Sequence, residues 1–174
     1  MVTDRKHRSF SVVPYDPRWD DAFAKEKKVL KLIFGQTALS IEHIGSTAVV
    51  GLAGKPAIDV LIIVDSIEDI DVLNRDMEAA DYEVLGDYVM PDARLFVKET
   101  DRVRLSNVHV FQKNHPHVKE LLQLRNYLRT HPDTVAEYSR LKFELLKRYP
   151  NDYVQYRKYK DEWMEKLKRE IRDK

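Results

Sequence analysis

The chain has 174 residues, no cysteine, and a formal net charge of only +1 although 34% of its side chains are charged. A disulfide framework and a thiolate metal site are thereby excluded. No global field draws the chain to nucleic acid or to an anionic membrane, so any anion site must be local. No apolar run reaches membrane-spanning length, and the opening MVTDRKHRSF lacks the apolar core of a secretory signal, which points to a cytoplasmic protein.

The first ten residues are polar and are expected to fray. A helix start follows, with Asp16 suited to the N-cap, Pro17 to the first helical position, and Asp20 and Asp21 to the positive end of the dipole. Trp19, Phe23, Leu30 and Ile33 recur at helical spacing, and Gly35 closes the segment. Leu39 to Ile44 reads as a strand entering Gly45-Ser46. Ala57 to Val64 is a continuous β-branched run, the composition of a central strand covered on both faces. Ser66 and Asp69 have capping-box spacing for a second helix whose inward face is Ile67, Ile70, Leu73, Met77 and Ala80.

Three strands are predicted next, over Tyr82 to Val89, Arg94 to Lys98 and Val103 to Gln112, with a hairpin turn at Thr100-Asp101. From His115 onward no strand pattern remains. Val118 to Arg129, Asp133 to Arg148 and Asp152 to Arg172 read as three helices, punctuated by His131-Pro132 and Tyr149-Pro150-Asn151. The order predicts an α+β (α/β-like) fold with a small mixed sheet. It is expected to be a single domain over 1–174, with a core at 11–114 and a helical layer at 115–174 packed on it.

The stretch Ile41 to Val64 holds three of the five glycines in the chain, at 45, 51 and 54, so backbone there turns sharply or approaches a ligand closely. Gly45-Ser46-Thr47 after a strand can present amides and hydroxyls to a phosphate, although neither a Walker loop nor a Rossmann fingerprint is present. A plain connection between strands is the alternative. Asp59 opens an otherwise apolar strand, where an ionised carboxylate is costly unless paired or bound to a cation. It is either a metal ligand beside a phosphate-binding turn or the partner of a buried base, and Lys55 is a candidate for that base or for a phosphate contact.

His43 precedes the glycine turn and His109 lies in Asn107-Val108-His109-Val110. If their strands are close, His43, Asp59 and His109 line one cleft, with a histidine as general base, metal ligand or donor to phosphate. His115-Pro116-His117 has the look of a metal pair in a poor setting. Arg94, Arg125, Arg129, Lys142 and Lys160 stand at or among apolar stripes, where an inward base could clamp phosphates and an exposed one is ordinary surface charge. The last helix interleaves Tyr156, Tyr159 and Trp163 with charges of both signs, a pattern that serves RNA binding or, with acids mixed in, a packing stripe.

Gathered in order, these residues resemble the GrpB family, which is placed in the nucleotidyltransferase superfamily. The resemblance runs from about Val13 to Leu167. It rests on Glu42-His43-Ile44-Gly45-Ser46-Thr47-Ala48-Val49 continuing through Gly51-Leu52, Lys55-Pro56 and Ile58-Asp59. Further support comes from Asn107-Val108-His109-Val110, and from Leu124-Arg125-Asn126-Tyr127-Leu128-Arg129-Thr130-His131-Pro132 with Tyr138, Leu141-Lys142, Tyr156 and Lys160. The resemblance implies a nucleotidyltransferase-type mixed sheet flanked by helices, here with a C-terminal three-helix layer. In that superfamily a Gly-Ser turn leads into a strand bearing two metal-binding carboxylates separated by one residue. This chain matches the turn and the first carboxylate, Asp59, but has Leu61 at the second position, where no cation can be ligated.

The function implied is metal-dependent nucleotidyl or related phosphate transfer from a nucleoside triphosphate or another phosphorylated small molecule. Gly45, Ser46 and Thr47 would cradle the phosphates, with Lys55, Arg94, Arg125 and Lys142 as contacts. Asp59, with Glu42 or His109, would hold Mg²⁺ or Mn²⁺, and His43 and His109 would line the acceptor side. The competing readings are a non-catalytic nucleotide- or phosphometabolite-binding module, favoured by Leu61, and an RNA-binding surface on the last helix. Nucleic acid is not indicated by net charge, no membrane partner is expected, and oligomeric state is open.

Overall fold

The computed structural model describes residues 10–88, 90–101 and 103–173. The polar N-terminal stretch as far as Ser9, and Val89 at the predicted end of one strand, lie outside them. In chain order the elements are α1 (Arg18–Phe34), β1 (Ala38–Ile44), β2 (Ile58–Val64), α2 (Asn74–Ala79), β3 (Tyr82–Gly86), β4 (Ala93–Thr100), β5 (Val103–Gln112), α3 (Pro116–Thr130), α4 (Pro132–Arg148) and α5 (Tyr153–Arg172). The strands form one mixed sheet in the order β1-β2-β5-β4-β3, in which β2 and β5 run parallel and the other pairs antiparallel.

Local signals account for the element ends. The Asp16 carboxylate accepts the Arg18 amide at 2.9 Å, and Gly35, at φ 51°, donates its N–H back to Lys31. Asp152 caps α5 by accepting the Gln155 amide at 3.0 Å. His115 caps α3, its Nδ1 accepting the His117 amide, while its Nε2 meets Asp92 at 3.0 Å. That occupies the ring which the sequence offered as half of a metal pair. The capping box at Ser66 does not form. Its hydroxyl donates to Glu68 instead, and a 3₁₀ turn over Glu68–Leu73 precedes the short α2. The inward set survives the change, because Ile67, Ile70 and Met77 are buried.

The sheet has two unlike faces. Val60, Ile62, Val64, Phe96, Val108 and Val110 point toward α1 and α2, where they pack with Trp19, Leu30, Phe34 and Met77. On the opposite face Ile44, Leu61, Ala93 and Phe111 lie beneath Val118 of α3. Alternation along each strand makes this division obligatory, since neighbouring side chains leave opposite sides of the pleat.

The segment between β1 and β2 is wedged between sheet and helices. Val49 and Leu52 are buried with Leu128, Val135, Tyr138 and Leu167, and Ala53 with Val12, Leu145 and Tyr156. Its backbone groups are satisfied from outside. Gly54 exchanges hydrogen bonds with Val13 at 2.9 and 3.0 Å, Arg129 Nε donates to the Ala48 carbonyl at 2.9 Å, and the Ala53 amide donates to Ser139 Oγ at 3.0 Å. The loop thus has part of its backbone hydrogen bonding supplied by the segments packed around it. Among the described residues no helix is long and apolar enough to cross a membrane.

Candidate functional site

Antiparallel pairing sets Ile44 opposite Asp59, and parallel pairing sets Asp59 beside Asn107 and Leu61 beside His109. Asp59, Asn107 and His109 therefore share the face turned to the helical layer. Asn107 Nδ2 donates to Asp59 Oδ1 at 2.8 Å. The turn before them is shaped for this carboxylate. Gly45 sits at φ 74°, ψ −170°, and a Cβ there would lie 2.5 Å from Asp59 Oδ2. Gly54 plays the same part for the serine, since its Cβ would come within 2.7 Å of Ser46 Cβ.

Lys142 reaches this floor from α4. It is only 2% exposed, and its Nζ donates to Ser46 Oγ at 3.0 Å and to the Ala53 carbonyl, while lying 4.2 Å from the centre of the Tyr138 ring. Burial, with Lys160 nearby, pulls its ammonium down to about 7. Tyr138 is held in turn by a parallel stack on Trp163 at 4.5 Å. Here the aromatic stripe of α5 does packing work, and its charges pair with acids, Arg157 and Lys160 with Asp161, and Lys168 with Glu120 and Glu165.

Together these groups line a cavity of about 450 Å³. Ser46, Thr47, Lys55, Asp59, Asn107, His109 and Lys142 come from the sheet side and α4, and Tyr153, Tyr156, Arg157, Lys160 and Asp161 from α5. Burial pushes the Asp59 carboxyl up and the His109 imidazole down, while each attracts the charged form of the other, so the two titrate as one system.

Of the residues singled out in the sequence, Ser46, Thr47, Lys55, Asp59, His109, Lys142 and Lys160 meet at this cavity, with Gly45 forming the turn beneath it. Arg129, on the Ala48 carbonyl, and four others do not. His43 pairs with Val60 in the register and therefore points to α1. There it is 5% exposed, stacks on Phe23 at 4.5 Å and shares a hydrogen bond with Thr47 Oγ1 at 2.9 Å. Burial drives it down to about 4 against the pull of Asp20. Glu42 is outside the lining of this cavity, and Arg125 Nη1 and Ser40 Oγ each donate to it at 2.8 Å. Arg125 also donates to the His43 carbonyl, so its guanidinium is spent on the protein itself. Arg94 forms a two-pronged pair with Asp71 at 2.7 and 2.9 Å on the α1 side of the sheet.

The donors do not fit the two-metal centre that the sequence resemblance implied. Leu61 is fully buried in an apolar cluster, the neighbouring strand offers Asn107 and His109, and among the described residues no group of three or more histidines and acids could hold a metal ion. Sequence reasoning had not picked out Asn107, Tyr138, Tyr153, Arg157 or Asp161 as site residues, because only strand register and helix packing bring them to Asp59.

Comparison with known proteins agrees with this construction. The GrpB protein family model matches residues 9–170. The chain belongs to the GrpB family. It is 37% identical over 157 residues to UPF0157 protein YqkA of Bacillus subtilis, covering 90% of this chain but 46% of that protein. It is 31% identical over 164 residues to glutamate-rich protein GrpB of Alkalihalophilus pseudofirmus, covering 92% and 94%. The chain thus spans about half of one such relative and nearly all of another. Among solved structures, GrpB from Enterococcus faecalis superposes with a TM-score of 0.87 at 35% identity, over 92% of this chain and 96% of that one. The Cid1 poly(U) polymerase superposes at 0.52 with 12% identity, over 78% of this chain and 43% of that one. That likeness establishes a nucleotidyltransferase-like fold for this GrpB-family chain and nothing about its chemistry.

Proposed function

We propose that the cavity binds a phosphorylated small molecule, with a nucleoside triphosphate as the first class to test. One observation carries this reading. Lys55, Lys142, Arg157, Lys160 and the Ser46 hydroxyl converge on one cavity against two acids, Asp59 and Asp161, in a chain whose net charge is only +1. Local cations concentrated in a concave, partly desolvated site attract an anion far more strongly than the same charges spread over a surface. Tyr153 and Tyr156, with Phe10 packed on both at 5.2 and 4.8 Å, supply flat walls suited to a base.

Nucleotidyl transfer is the second reading, favoured by Asp59 and His109 facing the same cavity from adjoining strands. A carboxyl and an imidazole that titrate together can move a proton to or from an acceptor hydroxyl. The missing carboxylate at Leu61 makes binding the primary reading.

Isothermal titration with ATP, GTP, CTP and UTP, with and without Mg²⁺ or Mn²⁺, tests the proposal. Binding of at least one nucleotide, weakened tenfold or more by Lys142→Met, is the expected result. Absence of binding by all of them and by inorganic tripolyphosphate overturns it. Transfer is then tested separately, by release of pyrophosphate in the native chain and its loss in Asp59→Asn.

A further inference from the structure

A second cavity, of about 280 Å³, adjoins the first between the β1–β2 turn, α3 and α5. Ser46, Asp59, His109, Tyr138 and Lys160 border both. Beyond that shared rim the lining changes character. Ile44, Leu52, Leu121, Leu124, Leu128 and Met164 make it aliphatic, and the one guanidinium at its edge, Arg125, is bound to Glu42 and the His43 carbonyl. We propose that the ligand of this site is an amphiphilic phosphate, whose anionic head lies at Ser46 and Lys160 and whose aliphatic chain fills the second cavity.

The inference rests on the anion-binding reading above and narrows its substrate class. Its physical basis is the partition of lining types. The aromatic side chains that could stack a base gather in the polar cavity, whereas the second offers leucines, an isoleucine and a methionine, with Tyr138 only at the boundary. Such a wall gives a chain dispersion contacts along its length and gives a polar head nothing. The hydrogen-bonding groups lie on the rim shared with the cationic cavity, where a phosphate joining two parts of one molecule would sit. Leu124 and Leu128 come from α3 and Met164 from α5, so the chain would lie between these two helices, the second of which also carries the rim residue Lys160.

Calorimetry with methyl, butyl, hexyl and octyl phosphate, and with octanol, tests this in the native chain. The expected result is a gain of roughly threefold to fourfold in affinity per added methylene. In Leu124→Trp, which fills the cavity, that slope flattens while methyl phosphate binds as before. Equal affinity across the series, or a slope that Leu124→Trp leaves unchanged, overturns the amphiphilic ligand and leaves the anion site standing. If neither methyl phosphate nor any longer member binds, or if octanol binds as well as octyl phosphate, the amphiphilic phosphate is likewise overturned, and the nucleotide and tripolyphosphate titrations alone decide the anion site. A photoreactive diazirine at the end of the octyl chain gives a readout free of any variant. Adducts at Leu121, Leu124, Leu128 or Met164 support the assignment, and adducts confined to other positions refute it.

Discussion

His43 and His109 lie on the two strands that flank β2 in the same sheet and have opposite fates. His43 on β1 turns toward α1, stacks on Phe23 and is held neutral. His109 on β5 turns toward the helical layer and looks into the cavity beside Asp59. Both are strand histidines near the glycine turn, and burial lowers both. What separates them is which side of the pleat they leave. The α1 face is a sealed core in which polar groups satisfy one another, and the other face was left unfilled between sheet and helices. The comparison teaches that buried polar residues report a site only where the opposing layer withholds its own packing.

The largest expected effect comes from the turn that separates the two faces. Gly45→Ala places a methyl 2.5 Å from Asp59 Oδ2 at a φ of 74°. That backbone region is essentially glycine's, and strain of this kind with its clash should cost roughly 3 kcal/mol in urea unfolding. Ligand affinity should fall as well, since Asp59 must move. An alanine variant as stable as the native chain would show that the turn does not define the cavity floor.

The sealed face gives the next largest. His43 has an ordinary value of 6.5 when unfolded and about 4 when folded. Above pH 6.5 both states hold it neutral and it contributes no pH dependence. As pH falls toward 4 the unfolded chain binds the proton and the folded chain resists it, so stability is lost across that window, by roughly 3 kcal/mol in total. His43→Gln should flatten this part of the pH profile measured against the native chain.

Much of this was legible in the sequence, for a definable reason. Strands and helices announce themselves by hydrophobic period, and Val103 to Gln112 was bounded as β5 is. The glycine turn was marked by composition. The division of faces was not, because it depends on register. Asp59 lies opposite Ile44, so His43, one residue earlier, must point away from it. The acids that hold Arg125 and Arg94, Glu42 and Asp71, were not legible because they lie far away in the chain. Lys142 carried a usable signal. It interrupts the stripe formed by Tyr138, Leu141 and Leu145, and a base on such a stripe is buried for a purpose.

On the open face, Lys142→Met should lower anion affinity roughly tenfold to a hundredfold, the worth of one charged hydrogen bond. Because burial holds the ammonium near 7 and an anion favours its charged form, binding above pH 7 should take up a proton. Calorimetry in buffers of different ionisation enthalpy detects that uptake, and the variant should abolish it. Stability should also respond. The unfolded chain keeps this lysine protonated up to about 10.5, so the native chain gains stability between pH 7 and 10.5, and the variant should lack that rise.

The smallest effect sharpens the contrast between bases that serve the fold and bases that serve the cavity. Arg94 and Lys142 both have defined partners, but Arg94 spends its guanidinium on Asp71, which is half exposed, and on the Pro91 and Ala93 carbonyls. Water competes for that pair, so Arg94→Ala should cost about 1 kcal/mol or less in urea unfolding. Its position on the α1 side of the sheet leaves it no path to the cavity, and anion affinity should be unchanged within error. A tenfold loss of affinity in Arg94→Ala would mean that the sealed face communicates with the open one, because an ion pair with Asp71 cannot itself contact a ligand on the opposite side of the sheet.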